Sequence, residues 1–140
     1  MIVLDTNVIS ELQKPNCSVL VQSWFATTEI HSTFICGPVL MEQAFGAELH
    51  LLRSKSRRYI ETFEKLQKEY ADRTLALDTA GWELVGLLRA RRENIGRPLG
   101  IGDAMIAGIC LVHGATLATR NVRDFDGLDL KLINPFEPVA

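Results

Sequence analysis

The sequence offers little material for a membrane span, a disulfide framework or a zinc site. Its apolar stretches are short and interrupted, below the roughly 18 to 20 residues that cross a bilayer. Met1-Ile2-Val3-Leu4-Asp5 lacks the charged and apolar regions of a signal peptide, so the compartment expected is the cytoplasm, with no membrane association. Cysteine occurs only at Cys17, Cys36 and Cys110, an odd number without Cys-x-x-Cys spacing and in apolar surroundings, which suits buried thiols rather than disulfides. His31, His50 and His113 are dispersed, leaving a zinc site or a Ser-His-Asp triad without its parts. Gly96, Gly100 and Gly102 do not follow a strand at the spacing of a dinucleotide-binding turn. A net charge of −2 argues against a protein that grips nucleic acid by charge alone.

What is present suffices for one domain over residues 1–140, because 47% hydrophobic and 23% charged residues can build a real core. The periodicity switches repeatedly between strand and helix. Met1 to Leu4 reads as a strand buried on both faces, and Thr6 or Asn7 is placed to cap a helix through Val8, Ile9 and Leu12 that Pro15 stops. A second helix is expected from Ser18 to Thr28, and a second strand from His31 to Cys36. Pro38 suits the first turn of a helix carrying Glu42, and Ser54 to Tyr70 forms a further amphipathic segment. Arg73 to Leu77 reads as a third strand, followed by a helix capped by Asp78 or Thr79. A helix from Ile101 to Gly114, a strand from Ala115 to Thr119 and a last strand from Leu130 to Ile133 complete the chain. Strands alternating with helices predict a three-layer α/β/α fold with a mostly parallel sheet of five strands.

Four acids stand at or near the ends of these elements: Asp5 after Ile2-Val3-Leu4, Glu42 after Val39-Leu40-Met41, Asp103 after Gly102, and Asp124 shortly after Ala118-Thr119. In an open α/β sheet such edges gather in one crevice. Carboxylates about 5 Å apart repel by about 3 kcal/mol per pair at an effective dielectric near 20, so four together call for a hard divalent cation such as Mg²⁺ or Mn²⁺. Each acid also has a plainer role. Asp5 and Asp103 suit helix caps, Glu42 a solvated helix face, and Asp124 a turn. Two basic runs, Arg53-Ser54-Lys55-Ser56-Arg57-Arg58 and Arg89-Ala90-Arg91-Arg92, are either phosphate contacts, with Arg57 and Arg91 as candidates, or solvated helix faces.

Taken in order, Leu4-Asp5-Thr6-Asn7-Val8-Ile9-Ser10-Glu11, Glu42 before Phe45-Gly46, Gly102-Asp103-Ala104-Met105-Ile106-Ala107, Thr119-Arg120-Asn121-Val122-Arg123-Asp124-Phe125 and Ile133-Asn134-Pro135-Phe136 resemble the PIN-domain ribonucleases, specifically the VapC-like toxins of bacterial toxin-antitoxin pairs. The resemblance implies a metal-dependent endoribonuclease. Asp5, Glu42, Asp103 and Asp124 would be its acidic Mg²⁺ or Mn²⁺ cluster, Asn7 and Thr119 supporting polar residues, and Asp126 an auxiliary acid. It also implies an RNA substrate, a homodimer and a small antitoxin that covers the groove. One departure is local: relatives often carry Ser or Thr at the strand end before the glutamate, where this chain has Cys36-Gly37-Pro38.

Two other readings are open. A phosphatase with Asp5 as covalent nucleophile needs a second acid two residues on, and position 7 is Asn. A nucleic-acid-binding or regulatory toxin-antitoxin subunit with weak or no nuclease activity would use the same pocket only for partner contacts. Trp24, Phe25, Tyr59 and Phe63 are core residues by default, with an exposed partner surface as the alternative.

Overall fold

A computed structural model describes residues 1–139. Its sheet has five strands in the order β3-β2-β1-β4-β5, formed by β1 (Ile2–Leu4), β2 (Thr33–Cys36), β3 (Thr74–Leu75), β4 (Thr116–Ala118) and β5 (Lys131–Ile133). All four pairings are parallel, where the sequence suggested only a mostly parallel sheet. β1 lies at the centre, with Val3 opposite Phe34 on one side and Leu117 on the other, which accounts for its unbroken apolar run.

Among the described residues, six helices cover the two faces. Between β1 and β2 lie α1 (Thr6–Leu12) and α2 (Val19–Thr27), and between β2 and β3 lie α3 (Gly37–Ser54) and α4 (Arg58–Glu69). The chain then returns through α5 (Thr79–Asn94) and α6 (Ile101–His113) to β4. Right-handed crossovers put this last pair on the opposite face from the first four, which gives the three layers. The direction of strand addition therefore reverses between β1 and β4. The core runs along both faces of β1 and β4, with Val3, Val8, Ile35, Val39, Ile106 and Leu117 all buried. No helix among the described residues is long and apolar enough to cross a membrane.

Several boundaries differ from the sequence reading, for local reasons. Asp5, not Thr6 or Asn7, caps α1 by accepting from Thr6 N–H. The second strand begins at Thr33, because His31 belongs to a 3-10 turn at Ile30–Ser32. Helix α3 continues to Ser54, where Lys55 in the left-handed conformation (φ 62°) separates it from α4. The third strand shrinks to two residues, and Arg73 just before it turns its side chain inward to donate to the carbonyls of Ile30 and Thr33. Residues Val122–Phe125, in the stretch where Asp124 suited a turn, form a 3-10 turn. Gly114 ends α6 with φ 64°, the conformation expected of a glycine stop. All three cysteines are free, with Cys36 and Cys110 buried and Cys17 half-buried. Trp24, Phe25 and Phe63 are half-buried and Tyr59 more open, so those four aromatics divide between core edge and surface.

Candidate active site

In open α/β sheets ligands bind outside the carboxyl ends of the strands where strand order reverses. In this chain that point lies between β1 and β4, and Asp5 and Thr119 are the next residues along each strand. Asp5 is buried and tightly held. Its Oδ1 accepts from Thr6 N–H at 2.8 Å, and its Oδ2 accepts from Thr119 Oγ1 at 2.7 Å and Asn7 Nδ2 at 3.3 Å. Asn7 Nδ2 also reaches Thr119 Oγ1 at 3.3 Å, while Asn7 Oδ1 accepts from Arg120 N–H at 3.0 Å. The capping and the clustered roles of Asp5 are thus compatible, one oxygen serving mainly each.

The other acids approach from separate elements. Asp103 sits in the first turn of α6, which Gly100 rather than Asp103 caps. Glu42 lies on α3 with Oε1 3.9 Å from where a Cβ on Gly102 would stand, beside Asp103. Asp124 comes from the 3-10 turn beyond β4. Their proximity is electrostatically visible. The Asp103 carboxyl is pushed up to about 6, first by burial and then by repulsion from Asp5, Asp124 and Glu42. Asp5 is also raised, by burial above all and slightly by Asp124, against the lowering effect of its bonds to Thr119, Thr6 and Asn7. Beneath them, burial pushes the Cys36 thiol up to about 12, with Asp5 and Glu42 adding repulsion, so a neutral thiol fills the position where Ser or Thr was expected.

The approach stops short of closure. Among the described residues, no three His, Cys, Asp or Glu side chains form a ready-made metal site. Asp5 is fixed by three hydrogen bonds, whereas the carboxylates of Glu42 and Asp124 are exposed and make no hydrogen bond or ion pair among the described residues. The donors nevertheless suit a hard cation, since all are carboxylate oxygens carrying uncompensated like charge. A second sign is Thr6 Oγ1, next to Asp5, which is buried without a hydrogen-bond partner.

A groove of about 670 Å³ leads away from Glu42 between α1, α3 and the start of α4. Thr6, Lys14, Phe45, His50, Arg58 and Tyr59 are among its lining residues. His50 meets the Tyr59 ring edge-on at 4.7 Å, and the Arg58 guanidinium lies 5.4 Å from the centre of the same ring. The left-handed break at Lys55 produces this arrangement by starting α4 afresh against α3. Arg57, the sequence candidate, does not line the groove and instead lies 4.0 Å from Glu64. Arg91 is exposed on α5, and Asp126 is exposed just past the 3-10 turn; neither side chain bonds to the acids. The basic-run residue Arg92, by contrast, is buried.

A parallel α/β/α domain with Asp5 buried at the point where strand order reverses defines a structural class. The PIN domain family matches residues 2–130, and the chain belongs to that family. Within it the chain is VapC-like. It is 34% identical to the VapC ribonuclease Y4jK of Sinorhizobium fredii, over 99% of both chains. It is also 34% identical to the plasmid stability protein StbB of Pseudomonas syringae pv. tomato, over 98% of this chain and 99% of that one. A structure of FitAB bound to an IR36 DNA fragment superposes with a TM-score of 0.89 at 26% identity, covering 100% of this chain and 99% of that one.

Proposed function

We propose that the protein is a metal-dependent endoribonuclease, the toxin of a toxin-antitoxin pair, whose ion is held by Asp5, Glu42, Asp103 and Asp124. One observation carries the reading: Asp5, Glu42, Asp103 and Asp124 reach from four distant segments toward the edge where strand order reverses, and the Asp103 carboxyl is pushed up to about 6, first by burial and then by the other three acids. Left uncompensated, such crowding only costs stability. Bound Mg²⁺ or Mn²⁺ would supply Lewis acidity toward a phosphodiester and make an attacking water more acidic.

The chain's own residues prepare that chemistry. Thr119 and Asn7 orient the Asp5 carboxylate through its Oδ2, as outer partners orient metal ligands. The exposed Glu42 and Asp124 would complete the donor set with Asp5 and Asp103, and ligation would require all four acids ionised. Along the groove, Lys14 and Arg58 offer charge to phosphates, and Tyr59 and His50 offer faces to unpaired bases. Asp126 serves as an auxiliary acid at the rim, while Arg57 and Arg91 act as outlying contacts to RNA.

Membership among VapC-like toxins supports a small antitoxin partner that covers this groove, a homodimeric toxin and a cytoplasmic site of action. The test is direct. Protein freed of antitoxin should cleave RNA with Mg²⁺ or Mn²⁺ and stop on chelation, and Asp5→Asn or Asp103→Asn should abolish cleavage while the fold persists. Cleavage that continues in chelator, or in both variants, would overturn the proposal.

A further inference from the structure

The run Arg89-Ala90-Arg91-Arg92 looks in sequence like a phosphate-binding face, yet its last member points the other way. Arg92 is only 6% exposed. A buried guanidinium normally faces a carboxylate. Arg92 instead donates to backbone: Nε to the Arg97 carbonyl at 2.9 Å, and one terminal nitrogen to the carbonyls of Asp124 at 3.1 Å and Asp126 at 3.3 Å. No carboxylate lies within ion-pairing distance of it among the described residues. Arg97 adds a weaker bond to the Arg123 carbonyl at 3.4 Å.

These contacts converge on one short segment. At its ends the 3-10 turn Val122–Phe125 is tied by Asp124 N–H to the Asn121 carbonyl and Asp126 N–H to the Arg123 carbonyl. Its apolar anchor is Phe125, 1% exposed. Asp124 therefore projects an exposed carboxylate from a turn whose carbonyls are gripped from behind by a residue 32 positions earlier in the chain. A guanidinium suits this task, because its fixed planar fork reaches several acceptors without needing a counter-charge.

We propose that Arg92 is a positioning residue for Asp124: it holds the 122–126 turn against α5 and so sets where that carboxylate meets the acid cluster. The inference rests on reading Asp124 as a metal ligand. Arg92→Met keeps the length and bulk of the side chain and removes every donor. Arg92→Lys keeps the charge but loses the fork. Leu88→Ala, four residues earlier on the same buried face of α5, is the control for simple loss of packing.

Two readouts separate positioning from stability. In metal-free protein, the backbone amides of Asp124 and Asp126 should exchange faster in Arg92→Met than in wild type, and unchanged in Leu88→Ala. In Mn²⁺ titrations of the folded proteins, followed calorimetrically without RNA, Arg92→Met should bind about tenfold more weakly, Arg92→Lys should fall between, and Leu88→Ala should match wild type. If Arg92→Met does not fold, Arg92→Lys carries the comparison. Equal Mn²⁺ affinity and equal exchange in the Arg92 variants and wild type would overturn the role while leaving the metal site intact. Wild-type protein that binds no Mn²⁺ would overturn the metal reading itself.

Discussion

Thr119 Oγ1 donates to Asp5 Oδ2 at 2.7 Å, joining two residues 114 positions apart at the ends of neighbouring strands. The same hydroxyl accepts from Asn7 Nδ2 and from Asn121 N–H, so one threonine ties the first acid to the turn that brings the last. Thr119→Val preserves shape and removes these bonds. Cleavage and Mn²⁺ affinity should both fall, by about 10- to 100-fold, and Thr119→Ser should retain most of each. Wild-type behaviour in the valine variant would mean that Asp5 needs no such support.

Asp103 links the cluster to pH. With its folded-state carboxyl near 6 and an ordinary value near 3.8, the folded protein binds more protons than the unfolded chain between those limits. This group therefore costs stability as pH rises through that window, and Asp103→Asn escapes the cost. In chelator, the variant should melt with wild type near pH 4 and above it at pH 7. A lower melting temperature at pH 7 would show that the carboxylate stabilises its helix more than its neighbours repel it.

The two arginines of the 57–58 pair are predicted to behave differently. Arg58 lines the groove, whereas Arg57 sits beside Glu64 outside it. Arg58→Ala should weaken RNA binding and lower the slope of log affinity against log salt by about one, the signature of a single lost phosphate contact. Arg57→Ala and Arg91→Ala should do less. Equal effects from all three would point to a diffuse field rather than a defined path.

Glycines in the α5–α6 layer give a paired stability test. A Cβ on Gly108 would stand 2.7 Å from Val85 Cγ2, whereas one on Gly86 meets nothing within 4 Å. Gly108→Ala should destabilise by about 1–3 kcal/mol through overpacking. Gly86→Ala should stabilise by about 0.5–1 kcal/mol, since alanine loses less backbone entropy in a helix. Denaturant melts of the two proteins decide both signs.

The alternation of apolar strands with amphipathic helices was legible because each element carries its own periodicity, and the five strands fell near their expected places. The four acids stood out for a related reason, since each lies near an element end or within a short recognisable word, and their sharing of one ion is the proposal. Features depending on contacts remote in sequence were not. The sequence reading began a further segment at Ser54, but nothing around Lys55 announces that a left-handed residue makes the break. Arg92 reads as one more surface charge beside Arg91, because the carbonyls that hold it belong to residues 32 and 34 positions away. Arg73 hides in the same way, its partners at Ile30 and Thr33 lying in the preceding strand region.

The placement of β1 beside β4 also bears on how the protein is made. Asp5 is synthesised 114 positions before Thr119, so the strand that flanks it and the hydroxyl that orients it arrive only with Thr116–Thr119. Until that segment has emerged, the Asp5 carboxylate has neither its neighbour nor its supporting bond. On the proposed reading, hydrolysis that depends on the assembled acids would be withheld from the growing chain until Thr119 is in place.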